Sequence, residues 1–159
     1  MPETKEIAVF YLDDLKVGQR FKSGTHALDA EQIKAFAAEF DPQPCHMDEK
    51  LAEDSILEGL AASGWHTAAI TMRLNVEGGL PLAGGIIGSG GELQWPMPTR
   101  AGDILHVENE ILEITPSQSR PDRGRVTVLV RTANQHGQTL QTLKAKLVVR
   151  RKPADQRVG

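Results

Sequence analysis

Gly59-Leu60-Ala61-Ala62-Ser63-Gly64-Trp65-His66-Thr67-Ala68-Ala69-Ile70-Thr71-Met72-Arg73-Leu74-Asn75-Val76 is the stretch whose reading decides the class of fold. Taken as one helix from Gly59 to about Val76, it carries Leu60, Ala61, Ala62, Ala68, Ala69, Ile70, Met72, Leu74 and Val76 and leaves little polar surface. A helix that is apolar nearly all round is normally buried. Its alanines let another layer approach closely, and Gly78-Gly79-Leu80-Pro81 ends it. The covering layer follows in the chain. Gly84 to Met97 is a glycine-rich strand in which Leu93, Trp95 and Met97 alternate. Asp103 to Ile114 turns Leu105, Val107 and Ile111 to one face, and Arg125 to Ala133 does the same with Val126, Val128 and Val130. A hairpin loop at Asn134-Gln135-His136-Gly137-Gln138 leads into a last strand, Leu140 to Arg151.

Before the buried helix, a short strand runs from about Gln19 to Leu28. Asp29 with Gln32 three residues on approximates a capping box. Behind it Ile33, Phe36, Ala37 and Phe40 form one apolar helical face, and Pro42 ends the helix. A further short helix is expected from about Asp48 to Asp54. One strand, then helices, then four antiparallel strands is an α+β layout.

The link between the two helices carries the chemistry: Phe40-Asp41-Pro42-Gln43-Pro44-Cys45-His46-Met47-Asp48. The prolines push Asp41 and Gln43 toward extended backbone, so the segment is expected to cross the surface as a rigid arc holding Asp41 near His46. A carboxylate beside an imidazole that titrates near neutrality suits general acid–base work. The plainer alternative is a proline-rich turn with a capping Asp and an exposed His. Asp41, at the C-terminal edge of its helix, faces the negative end of the helix dipole, which is expected to raise its pKa.

Composition bounds the rest. The 159 residues suit one domain, with a disordered tail expected over 152–159. Net charge is −3 and the sequence pI is about 5.9, which gives no overall footprint for nucleic acid. No apolar run reaches membrane-spanning length, and the start Met1-Pro2-Glu3-Thr4-Lys5-Glu6 lacks the pattern of a signal peptide. The single Cys45 allows no internal disulfide and fits a cytoplasmic protein.

The helix ending in Phe40-Asp41, the run Asp41-Pro42-Gln43-Pro44-Cys45-His46 and the later Gly59 to Thr67 together resemble the MaoC-like hydratase/dehydratase family. In that family the motif is Asp, any residue, Asn, Pro, any residue, His. Gln43 stands here in place of Asn, and Ser63 stands where His is common. The resemblance implies a hotdog fold, in which a curved antiparallel sheet wraps a long central helix. It implies reversible hydration of a trans-2-enoyl thioester to the (R)-3-hydroxyacyl product, usually on coenzyme A. Asp41 and His46 would hold one water, deliver hydroxide to C3 and a proton to C2, and the backbone N–H of Gly64 would receive the thioester oxygen. Ser63, Gly64 and Trp65 are the expected substrate contacts, with Met72 a further candidate. Coenzyme A would arrive as part of the substrate, so no cofactor or metal is expected. A homodimer joined edge to edge is expected as well. A hotdog thioesterase and a non-catalytic acyl-thioester binding module remain the alternatives.

Other features point less clearly to chemistry. Cys45 reads as a packing residue, and His46, Asp48 and His66 match no closed zinc pattern. Gly88-Ser89-Gly90-Gly91 lacks the third glycine of a dinucleotide fingerprint. Arg120, Arg123 and Arg125 read as a solvated loop that a coenzyme A phosphate could also use. His26, His106 and His136 have no partner pattern.

Overall fold

The computed structural model describes residues 8–157. Five strands form one antiparallel sheet: β1 (Arg20–Ala27), β2 (Ile87–Gln94), β3 (Ile104–Pro116), β4 (Arg123–Ala133) and β5 (Thr139–Arg150), in the spatial order β1-β3-β4-β5-β2. The three long strands are consecutive in sequence and pair as hairpins in the middle. The two short ones, separated by the helices, take the two edges. Register irregularities at Ile111/Glu113, Thr132/Ala133 and Gly88/Gly90 add local bend to the natural strand twist, and the sheet curls.

Four helices lie between β1 and β2: α1 (Ala30–Phe40), α2 (Pro44–Met47), α3 (Glu49–Glu53) and α4 (Gly64–Leu74), with α4 continuing into a π-turn over Asn75–Gly79. The Asp29 carboxylate caps α1 by accepting from the Gln32 N–H, and Ile33 and Ala37 are its buried face. Helix α4 packs into the hollow of the sheet. Ile70 and Leu74 belong to one buried cluster with Leu105, Val107, Val128 and Leu140, all 5% exposed or less. The alternation read from β3 and β4 is the one observed: Leu105, Val107 and Ile111 of β3 and Val126, Val128 and Val130 of β4 point inward.

Between helix and sheet runs a second, polar line of contact. Thr67, Thr71 and Asn75, spaced four apart on one face of α4 and its extension, are all buried. Thr67 Oγ1 pairs with Thr99 Oγ1 at 2.9 Å, and Thr71 Oγ1 with Thr132 Oγ1 at 2.6 Å. Asn75 and Asn109 exchange amide hydrogen bonds, Asn109 donating at 2.9 Å and Asn75 at 3.3 Å. Every rung is satisfied inside the fold, as buried polar groups require.

The structure bears on four local expectations. The central helix begins at Gly64, not Gly59, because Ala61 N–H donates to the Cys45 carbonyl and Ala62 N–H to the Thr99 carbonyl, which holds the preceding chain extended. This helix is not buried all round: Trp65, Met72 and Val76 are 62%, 45% and 63% exposed on its outer face. Pro44 does not prolong an extended arc but opens α2, where a proline at the first turn needs no N–H partner. Of the stretch expected as a disordered tail over 152–159, the described residues through Arg157 make defined contacts, and positions 158 and 159 lie outside the described residues. Lys152 N–H donates to Asp13, Lys152 Nζ pairs with Asp14, a 3₁₀ turn spans Ala154–Gln156, and Arg157 Nε donates to the Lys152 carbonyl. Among the described residues no helix is long and apolar enough to cross a membrane.

Candidate active site

Asp41 is the C-cap of α1, and its N–H still donates to the Ala37 carbonyl. Pro42 stops the helix there, so the side chain projects from the end of α1 toward α2. Two residues on, Gln43 caps α2, and one turn of that helix places His46 back beside Asp41. His46 Nε2 lies 3.4 Å from Asp41 Oδ2, with both side chains largely buried. The Gln43 amide donates to Asp41 Oδ1 at 2.6 Å, so the longer side chain at this motif position reaches the carboxylate.

The imidazole is fixed from the opposite side. His46 Nδ1 is 2.7 Å from the Ala61 carbonyl oxygen, which can only accept, so Nδ1 carries a proton. In the neutral ring Nε2 then presents its lone pair toward the Asp41 carboxylate. Two acceptors facing each other at 3.4 Å do not bond directly. They form a cleft that accepts both hydrogens of one water, or they share a proton when the ring is charged. The Ala61 carbonyl is held by the extended chain before α4, where Arg100 donates to the carbonyls of Leu57, Gly59 and Leu60. Glu58 in that loop has φ of 55°, the one positive φ of a non-glycine residue among the described residues.

The Asp41 pKa lies below the ordinary carboxylate value, opposite to the rise expected from the helix dipole. The Ser63 hydroxyl beside the carboxylate is the largest cause, the Gln43 amide the next, and the His46 charge also contributes, while partial burial opposes them. Ser63 is fully buried and has no well-aligned partner among the described residues, so its O–H can turn toward that carboxylate. Hydrogen bonds to the charged form outweigh half a dipole charge at a frayed helix end.

Gly64 follows Ser63 as the first residue of α4. Its N–H has no protein acceptor among the described residues, as expected for a helix N-terminus. A cavity of about 300 Å³ opens beside it, bounded by His46, Ala61, Thr67, Trp95, Met97 and Thr99, among others. Gly64 is also a packing requirement: a Cβ there would sit 2.6–2.8 Å from three ring atoms of Trp95. The structure therefore brings Asp41, His46, Ser63 and Gly64 to one place. Trp65 does not line the cavity; it points outward and meets the Trp95 ring edge-on at 5.3 Å between centroids. Met72 is outside it as well.

The remaining singled-out residues lie elsewhere. His66 is buried and stacks on Phe36 at 4.5 Å, and burial, with repulsion from His26 added, pushes its pKa below the ordinary imidazole value. His26 pairs with Gln32 and His106 with Glu108. Arg123 and Arg125 line a separate cavity of about 600 Å³ with Lys146, which shares no residue with the one beside His46. Among the described residues no three His, Cys, Asp or Glu side chains gather as a metal site. Sequence reading missed Trp95, Arg100 and the Ala61 carbonyl as parts of this site. The scarcity of aromatic residues was the only signal for Trp95; the other two act through main-chain contacts that no local pattern announces.

Comparison with known proteins bears on the family and the fold. The profile of the MaoC like domain matches residues 14–134. The uncharacterized protein YdeM of Bacillus subtilis (strain 168) is 36% identical over 127 residues, covering 78% of this chain and 87% of that protein. The crystal structure of a MaoC-like dehydratase from Rhodospirillum rubrum superposes with a TM-score of 0.89 at 62% identity, over 91% of this chain and 99% of the other. The unliganded R-hydratase PhaJ1 from Pseudomonas aeruginosa superposes with a TM-score of 0.70 at 26% identity, over 89% and 86%. A curved five-stranded sheet around α4, with the Asp41 and His46 motif at the start of that helix, is thus the hotdog fold of a protein that belongs to the MaoC-like family.

Proposed function

We propose that this protein is a hydro-lyase that adds water to a trans-2-enoyl thioester of coenzyme A to give the (R)-3-hydroxyacyl thioester, or catalyses the reverse. The observation that carries the reading is the Asp41–His46 cleft at 3.4 Å, two proton acceptors converging next to the free N–H of Gly64. A binding module has no use for such a pair. The relation to an R-hydratase supports the same chemistry.

The proposed steps use this geometry. The thioester oxygen sits on the Gly64 N–H, and the enoyl carbons lie over the cleft. A water donates its hydrogens to Asp41 and His46 Nε2. As its oxygen bonds to C3, one proton passes to the pair and the C2–C3 π electrons move onto the thioester as an enolate. The Gly64 N–H and the positive end of α4 stabilise that charge where it develops. The acquired proton then goes to C2, leaving the site as it began. Ser63 and Gln43 keep Asp41 ionised between turnovers. No resident cofactor enters, and the lone Cys45 suits a cytoplasmic location.

Crotonyl-CoA tests this directly. Hydration removes the enoyl absorbance without releasing thiol; release of thiol identifies a thioesterase, and no change with retained binding identifies a module.

The working form is proposed to be a homodimer. Strand β2 leaves one edge of the sheet unpaired with Ile87 56% exposed, and the outer stripe Trp65, Met72 and Val76 of α4 is bare. Pairing β2 with its copy removes that edge and covers the stripe. Light scattering at micromolar concentration is expected to give twice 17.3 kDa; a stable monomer refutes the dimer.

A further inference from the structure

Trp95 lines the cavity beside Gly64, and its side chain is not free to move. The indole N–H donates to Gln141 Oε1 at 2.9 Å. Gln141 is completely buried on β5, and its own amide donates to Thr71 Oγ1 at 3.3 Å. Thr71 in turn donates to the Thr67 carbonyl and pairs with Thr132. A chain of hydrogen bonds therefore ties the ring to the central helix and, through it, to β4. Swinging the indole aside leaves a fully buried amide oxygen without a donor, which resists the movement.

The same ring packs against the first residue of the central helix. Three of its atoms lie within 2.8 Å of where a Cβ on Gly64 would stand, so ring and backbone are in direct contact. The wall continues from Trp95 into Pro96, Met97 and Pro98, stiffened by two prolines. They line an open-sided cavity of about 300 Å³, at the small end for a ligand site, and Trp95 itself is 41% exposed.

Resting on the hydratase reading, we infer that Trp95, pinned by Gln141, is the specificity-determining wall of the acyl site and restricts the enzyme to short enoyl thioesters of about four carbons. A thioester seated on Gly64 carries its acyl chain directly against the indole face. A four-carbon chain ends within the cavity; a longer one must displace a ring that is hydrogen-bonded from behind.

The experiment compares crotonyl-CoA with trans-2-octenoyl-CoA in the parent and in Trp95→Leu, Trp95→Phe and Gln141→Met. The parent is expected to favour the four-carbon substrate in kcat/KM by more than about tenfold, since even one misfit methylene in an apolar pocket is worth that much. Trp95→Leu raises the eight- to four-carbon ratio by at least about tenfold. Trp95→Phe gives an intermediate ratio and serves if the leucine variant does not fold. Gln141→Met, which unpins the ring without removing it, also raises the ratio. Calorimetric binding of the saturated butyryl- and octanoyl-CoA runs in parallel, so the wall is read even if no thioester is hydrated. A parent that binds or turns over the eight-carbon chain as well as the four-carbon one overturns the inference, as does an unchanged ratio in folded Trp95 variants. An unchanged ratio in folded Gln141→Met overturns the pinning. Loss of crotonyl-CoA hydration alone, with the binding ratio intact, refutes the hydratase reading and leaves the wall standing.

Discussion

Asp41→Asn and His46→Gln are each expected to lower kcat for crotonyl-CoA hydration by about 10²–10⁴-fold, with KM changing little, because each removes one proton acceptor from a single water. The substitutions are near in shape. Asparagine keeps an oxygen for the Gln43 amide, and glutamine places its amide near the position of His46 Nε2 while giving up the Nδ1–H donor to the Ala61 carbonyl. Stability should therefore change modestly, by about 1–3 kcal/mol at most for a lost charged hydrogen bond. Since the two groups act together, the double variant costs less than the product of the single losses. The pH dependence has a definite sign. Asp41 has a folded pKa below its unfolded value, so its contribution to stability is full above the unfolded value and is lost as pH falls through the folded one. Asp41→Asn abolishes that acid-side loss, which a series of thermal melts at descending pH measures. If both variants hydrate crotonyl-CoA at the parental rate, the pair is structural and the acid–base assignment fails.

Gly64→Ala is expected to be more damaging than its size suggests. The added methyl enters space held by the Trp95 ring at 2.6–2.8 Å, and that ring cannot retreat without breaking its bond to Gln141. Overpacking of this kind costs about 1–3 kcal/mol, and a displacement of order 1 Å at the thioester site costs about 10²-fold in rate. Gly24→Ala is the control, because a Cβ there meets nothing within 4 Å. It should match the parent in both thermal midpoint and rate. Parental kcat in Gly64→Ala would mean that ring and helix separate freely and that the N–H of residue 64 needs no exact placement.

How much of this was legible in the sequence depended on whether the determining contacts were local. The cap at Asp29 with Gln32 and the inward alternation of Leu105, Val107 and Ile111 depend on neighbours a few residues away, and both were readable. Leu60, Ala61 and Ala62 carry no local signal against a helix. They are extended because the N–H groups of Ala61 and Ala62 find the carbonyls of Cys45 and Thr99, which only the tertiary fold brings near. The direction of the Asp41 pKa was misread for a related reason. The helix dipole is visible from position alone, whereas Ser63, the group that outweighs it, arrives from twenty-two residues further along. Trp65, next to Gly64, is the aromatic residue expected at the substrate, and Trp95 reads only as part of an alternating strand. Only the curl of the sheet decides that the second faces the cavity and the first faces out.

The line of Thr67, Thr71 and Asn75 has a mechanical meaning. A rod lying in an apolar trough can slip lengthwise, since one aliphatic side chain fills a neighbour's hollow nearly as well. Moving α4 by one turn, about 5.4 Å, would bring Thr71 roughly to the partner of Thr67, and two hydroxyl rungs cannot tell those positions apart. The Asn75–Asn109 pair can. Slipped by a turn, Asn109 would face an apolar or glycine residue with its amide buried and unpaired, at a cost of about 1–3 kcal/mol. The amide pair thus works as the asymmetric tooth of a key. It indexes the helix along its axis from the end farthest from Gly64, and so fixes where the N–H of Gly64 stands relative to Asp41 and His46.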